Sequence, residues 1–155
     1  MNYKGHLKVG IIVSAIVSAL LFFITDVDLG IYNLIIYPII AILFCLLPDI
    51  DHPISTITYF FLGIGIIGVS LSTINDFFSL SLPYVDRILY ASVILLVSTF
   101  IFAKFVKHRG FVHTIRFALV CSIPVFFITG QWQHSVVAFF AFYSHLCADK
   151  LWKKW

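Results

Sequence analysis

Glutamate is absent from this chain, so its negative charge rests on seven aspartates. Any carboxylate that holds a metal or moves a proton must therefore be an aspartate. Charge of either sign is scarce: charged residues make up 11% of the 155 positions and hydrophobic ones 61%. A soluble domain is nearer ~25% charged and ~45–50% apolar, and a soluble fold this small has too little interior to hide the excess. Lipid is the solvent that removes the difficulty, and the mean hydropathy of +1.06 agrees. The net charge of +3 is too small to argue for a nucleic-acid partner. Cysteine is sparse as well: Cys45, Cys121 and Cys147 are far apart, lie in apolar runs and form no C-x-x-C, so they read as small buried hydrophobes. No small-residue cleavage site closes the apolar run that follows Lys4 and Lys8, so that run reads as a retained helix rather than a signal peptide. Linkers, low-complexity tracts and repeats are also missing, and residues 1–155 read as a single integral membrane domain.

What is present is a series of six apolar segments: Val9–Ile24, Leu29–Leu47, Ile57–Ile74, Ile88–Val106, Thr114–Gly130 and Trp132–Cys147. Most approach the ~20 residues that cross a bilayer core, and the first and last are the short ones. The expected fold is all-α, a polytopic transmembrane bundle of six helices. Short connections make successive helices antiparallel neighbours. With six spans, Lys4, Lys8, Lys104, Lys107, Arg109, Arg116, Lys150, Lys153 and Lys154 fall on one side, and only Arg87 on the other. The opposite loops carry Asp26, Asp28, Asp76 and Asp86. The excess of Lys and Arg puts both termini in the cytoplasm, with Trp152 and Trp155 as interfacial anchors.

The polar residues at that same face carry the chemistry. His6 precedes the first span, and LPDIDHP closes the second with Asp49, Asp51 and His52. The loop KHRGFVHT supplies His108, Arg109 and His113, and SHLCAD ends the sixth span with His145 and Asp149. His and carboxylate together are a ligand set for zinc and related divalent ions. His145 and Asp149, four apart, share one face of a helix and can grip one ion. Asp49 and His52, three apart, can do the same on a helical turn, but Pro53 pushes His52 toward extended backbone and splays the pair. His108 and His113 would point about 140° apart on a continuous helix, and Gly110 between them permits a turn that brings them together. These are more donors than one four-coordinate ion needs. Two or more ions bridged by an Asp would use them, a design suited to phosphoester hydrolysis. Arg109 has the planar fork that matches a phosphate. Against this, a single His at a helix end is most often solvated, and Asp49 and Asp51 would also serve as caps or turn residues. Ionisable pairs at membrane depth are costly and tend to be functional, which favours the metal reading for the set.

Other signals are weaker. Gly63, Gly65 and Gly68 spell G-x-G-x-x-G inside an apolar span with no strand before them, which reads as close helix packing rather than a dinucleotide site. Pro38 and Pro124 fall mid-span and are expected to kink the second and fifth helices. His134, beside Gln131, Trp132 and Gln133, reads as an interfacial residue. Ser55, Thr114 and Ser144 either orient ligands or cap helices.

In LPDIDHP, HRGFVHT and SHLCAD the chain resembles the bacterial and archaeal inner-membrane proteins described as YdjM-like predicted metal-dependent hydrolases. That family shows an early His, an LPD-x-D-x-P motif, an HRG-x-x-H-[ST] motif and a late SH-x-x-x-D motif. Here they fall on His6 with Gly10, on Leu47 to Pro53, on His108 to Thr114 and on Ser144 to Asp149. The resemblance implies a distant kinship with the zinc-dependent phospholipase C and P1 nuclease group, all-helical enzymes that cleave phosphodiesters. Through that kinship it implies His6, Asp49, His113, His145 and Asp149 as metal ligands. Asp51, His52 and His108 become ligands, acid–base groups or supports of the ligands. The lack of Glu means that any bridging carboxylate is an Asp.

The expected activity is a metal-dependent hydrolase at the cytoplasmic face of the inner membrane, acting on a phosphoester of a lipid or lipid-linked molecule. The cofactor would be zinc or manganese, two or more ions. The expected metal ligands are His6, Asp49, His52, His113, His145 and Asp149. The residues acting on substrate would be Asp49, Asp51, His108 and Arg109. A metal transporter or sensor is the alternative, and the near absence of ionisable groups at mid-span counts against it. A scaffold with a structural metal is another, and the surplus of donors counts against that.

Overall fold

The computed structural model describes residues 3–25, 30–80, 84–106 and 110–149. Six α-helices run through them: α1 Tyr3–Ile24, α2 Ile31–Leu46, α3 Thr56–Phe78, α4 Val85–Phe105, α5 Ile115–Thr129 and α6 Trp132–Ala148. Two short 3-10 helices, Leu47–Asp51 and Phe111–His113, follow α2 and precede α5. No strand occurs among the described residues, and the fold is all-α.

The hydropathy segments and the helices coincide closely, with one informative difference. The first helix is long, because Lys4, His6 and Lys8 belong to it and are not a loop before it. The short ones are α5 and α6, of 15 and 17 residues. At 1.5 Å per residue α5 extends only about 22 Å, less than the ~30 Å hydrocarbon core. Thr114 caps it: its Oγ1 accepts from the Phe117 N–H at 3.2 Å and donates to the Phe111 carbonyl at 2.8 Å. Gly130 ends it at φ 71°, a left-handed turn that glycine takes without strain. Four helical stretches are long and apolar enough to cross a bilayer: Lys4–Ile24, Ile31–Asp51, Thr56–Phe78 and Val85–Phe105. Pro38 and Pro124 lie inside α2 and α5, which continue through them.

The chain forms two compact units. One contains α1, α2, α5 and α6, and in it α6 packs against the other three. Val137, Ala141 and His145 form one row of α6 four residues apart, and Ala138, Phe142 and Leu146 form the next; all six are fully buried. The partner helices turn large apolar side chains outward, among them Ile12, Ile16 and Phe23 of α1 and Ile123 and Phe127 of α5. An apolar exterior this extensive is a lipid-facing surface.

The other unit, Asp49–Val106, is built on the α3–α4 pair. Its contact uses two of the three glycines of the G-x-G-x-x-G run. A Cβ on Gly65 would lie 2.6 Å from Leu96 Cγ, and one on Gly68 would fall on Ser92, whereas a Cβ on Gly63 would meet nothing. The run is a packing face for α4, as its place inside an apolar span implied. Gly65→Ala should therefore lower the thermal midpoint of the detergent-solubilised protein, at a cost of about 1–3 kcal/mol from overpacking. Gly63→Ala should leave it unchanged or raise it by about 0.5–1 kcal/mol through helix propensity. Equal responses in a thermal unfolding series would contradict this packing.

Candidate metal centre

Within the first unit, α1 and α6 bring three ligand residues together. His6 lies in the first turns of α1, His145 in the last turn of α6, and Asp149 is the residue that caps α6. His6 Nε2 lies 3.1 Å from Asp149 Oδ1, and His145 Nε2 lies 3.6 Å from Asp149 Oδ2. The two imidazoles stack, with centroids 3.9 Å apart and planes 15° from parallel. One donor atom from each of the three residues falls within 4.8 Å of the others. His6 is 2% exposed and His145 not at all. His113, also fully buried, sets its ring edge-on to His145 with centroids 5.6 Å apart.

The cluster owes its geometry to a local backbone feature. His145 Nδ1 lies 2.8 Å from the carbonyl of Cys45, in the last turn of α2. The chain tightens just after it into the 3-10 helix Leu47–Asp51. His145 donates to the Cys45 carbonyl. A carbonyl only accepts, so Nδ1 carries a proton, and in the neutral imidazole the lone pair then lies on Nε2, the atom that faces Asp149. Close approach of α1 depends on Gly10, one turn beyond His6: a Cβ there would collide with Cys45, lying 2.9 Å from its Sγ.

The donor set suits a divalent ion. Two imidazoles and a carboxylate, buried and convergent, match the ligand chemistry of zinc. The 3.6 Å gap between His145 Nε2 and Asp149 Oδ2 is beyond a direct hydrogen bond and leaves both as donor atoms to a common centre. The i,i+4 spacing read from SHLCAD thus gives the shared face expected of it.

Asp49, Asp51 and His52 belong to the second unit. Asp49 is half-buried and Asp51 buried, both on the 3-10 helix. His52 is exposed, and its Nδ1 accepts from the Ile54 N–H at 3.3 Å, so that lone pair serves the turn. His108 and Arg109 lie outside the described residues. Ser55 caps α3 by accepting from the Thr58 N–H at 3.2 Å, and Ser144 donates to the Ala141 carbonyl at 2.7 Å. Both act on backbone, as Thr114 does.

His134 is a correction to the interfacial reading. It is fully buried, its Nε2 lies 3.0 Å from Asn33 Oδ1, and Tyr37 meets its ring edge-on at 5.0 Å. Its signal in the sequence was Asn33, a polar residue in the corresponding turn of another span.

The family comparison agrees with the motifs: the profile described as YdjM inner membrane protein matches residues 1–154. The chain belongs to the YdjM inner membrane protein family. No curated protein and no solved structure matches it. Membership, together with the long apolar helices, makes this a multi-pass protein of the inner membrane.

Elemental analysis of the detergent-purified protein should find a divalent metal, with His145→Ala and Asp149→Ala losing it. His134→Ala should retain the metal while losing about 1–3 kcal/mol of stability, the usual cost of stripping a buried hydrogen-bond partner. Loss of metal in all three variants alike would contradict the assignment.

Proposed function

We propose that this protein is a metal-dependent hydrolase of the inner membrane that cleaves a phosphoester of a lipid or lipid-linked substrate. The carrying observation is the buried His6–His145–Asp149 cluster, with the His145 tautomer set by the Cys45 carbonyl. Three protein ligands are the number that catalytic zinc sites use, whereas structural zinc sites take four. The distant kinship with the zinc-dependent phospholipase C and P1 nuclease group that the family resemblance implies motivates the same reaction class.

His6, His145 and Asp149 would hold the ion, and zinc is the natural choice for imidazole and carboxylate. When bound, it would supply Lewis acidity toward a phosphoester oxygen and make water at the site more acidic. The chain's own groups do the rest. The Cys45 carbonyl fixes the tautomer and orientation of His145, and the two oxygens of Asp149 each face one imidazole. His113 adds a third imidazole beside His145 and suits a second ion. Asp49 and Asp51 enter from the motif order as bridging ligand or general base, and His108 and Arg109 enter likewise as acid–base group and phosphate clamp. The distribution of Lys and Arg supports cytoplasmic termini and a cytoplasmic-facing site.

A transporter would need a polar route between His134 and His145, about 16 Å apart along α6. Of the buried positions between them on α6, Val137, Ala138, Ala141 and Phe142 are apolar, and Ser144, next to His145, is the one polar residue. That disfavours transport.

The test is headgroup-phosphate release from phospholipid and lipid-linked phosphoesters by the reconstituted protein. Asp49→Asn should keep its metal and lose activity by about a hundredfold or more, the scale of a lost general base. A metal-replete Asp49→Asn protein that turns over at the wild-type rate would end this reading.

A further inference from the structure

The second unit contains a cavity of about 380 Å³ that the metal centre does not use. Its volume lies in the range of ligand pockets, ~300–1,000 Å³. Leu62 of α3 and Phe100 and Ala103 of α4 give it apolar walls, and Pro53, Thr58, Thr99 and Lys104 complete the lining.

Two of those groups mark it as more than a gap in packing. Thr99 is 1% exposed, and its Oγ1 has no hydrogen-bond partner. Other helical hydroxyls, those of Ser72, Thr73, Ser98 and Thr129 among them, turn back onto the carbonyl three or four residues earlier. A buried hydroxyl without such a bond costs about 1–3 kcal/mol unless a ligand or water satisfies it. Lys104 is the second. It lies in the last turn of α4, five residues and about 7 Å beyond Thr99 along the helix. Its Nζ stands 5.3 Å from the centroid of the Phe100 ring, which holds the ammonium beside the apolar wall. In a membrane-spanning helix this end lies at headgroup depth.

We infer that this cavity binds one anionic glycerophospholipid, with its phosphate at Lys104, an ester carbonyl accepting from Thr99 and an acyl chain along Leu62, Phe100 and Ala103. The apolar walls favour a lipid over free phosphate, and the lysine favours an anionic headgroup over a zwitterionic one. As a substrate subsite, the cavity rests on the hydrolase reading. Thr58 Oγ1 donates toward the carbonyls of His52 at 2.9 Å and Ile50 at 3.3 Å, and Pro53 itself lines the cavity. Cavity wall and LPDIDHP segment are thus one hydrogen-bonded piece, and a lipid seated there lies against the segment that carries Asp49 and Asp51.

Native mass spectrometry of the full-length protein in detergent with a chelator present tests this. The probes are phosphatidylglycerol and phosphatidylcholine with identical chains. Wild type should prefer phosphatidylglycerol. Lys104→Ala should abolish the preference by weakening phosphatidylglycerol about tenfold, the scale of a lost charge-assisted contact. Thr99→Val, nearly isosteric, should weaken both lipids about fivefold, one hydrogen bond's worth. Ala103→Trp, which fills the cavity, should abolish both. Equal binding of the two lipids by wild type would overturn the inference, as would an unchanged preference in Lys104→Ala or unchanged binding in Thr99→Val. Because the chelator keeps divalent ions out, failure here leaves the metal centre standing, and failure of the metal assignment leaves a positive lipid result standing.

Discussion

A bilayer core offers no water to satisfy a polar group, so a buried donor or acceptor is costly unless it finds a partner. This constraint organises the first unit around α6. That helix carries His134, Ser144 and His145, and it is surrounded by α1, α2 and α5. Its polar ends find partners on α2, His134 on Asn33 and His145 on the Cys45 carbonyl. The surrounding helices can afford apolar exteriors because lipid is their solvent.

The same constraint shapes the chemistry. A histidine whose Nδ1 donates to a fixed carbonyl is held in one orientation, with Nε2 turned toward the other donor atoms. The positioning rests on backbone: the Cys45 carbonyl receives His145, and Gly10 lets α1 close on Cys45. Asp149, just past the end of α6, then meets both His6 and His145. A site built on helix ends is more rigid than one built on loops, which suits an arrangement that must hold three donor atoms on one centre.

Much of this was legible in the amino-acid order. Hydropathy located all six helices, since apolar runs near bilayer length have few alternatives. The start of α1 was misplaced because Lys4, His6 and Lys8 look like a loop, yet helices project such residues past the hydrocarbon edge at little cost. The His145–Asp149 pair followed from helical spacing, whereas His52, expected among the ligands, lies exposed with its Nδ1 on the Ile54 N–H. What spacing could not give is tertiary. The Cys45 carbonyl is a backbone group, and side-chain spacing says nothing of which carbonyl a distant histidine will meet. His134 looked interfacial among glutamines because its partner, Asn33, lies about a hundred residues away. The cavity beside Thr99 was also invisible, since nothing in the sequence distinguishes a threonine bonded to its own helix from one that is not.

The central claim is that His6, His145 and Asp149 hold one ion together. X-ray absorption at the zinc edge of the zinc-loaded, detergent-purified protein addresses it directly. The account predicts two imidazole nitrogens and a carboxylate oxygen at about 2.0–2.2 Å, with imidazole scattering reduced to one ring in His6→Ala. A spectrum with no imidazole scattering, or one unchanged by His6→Ala, would contradict it.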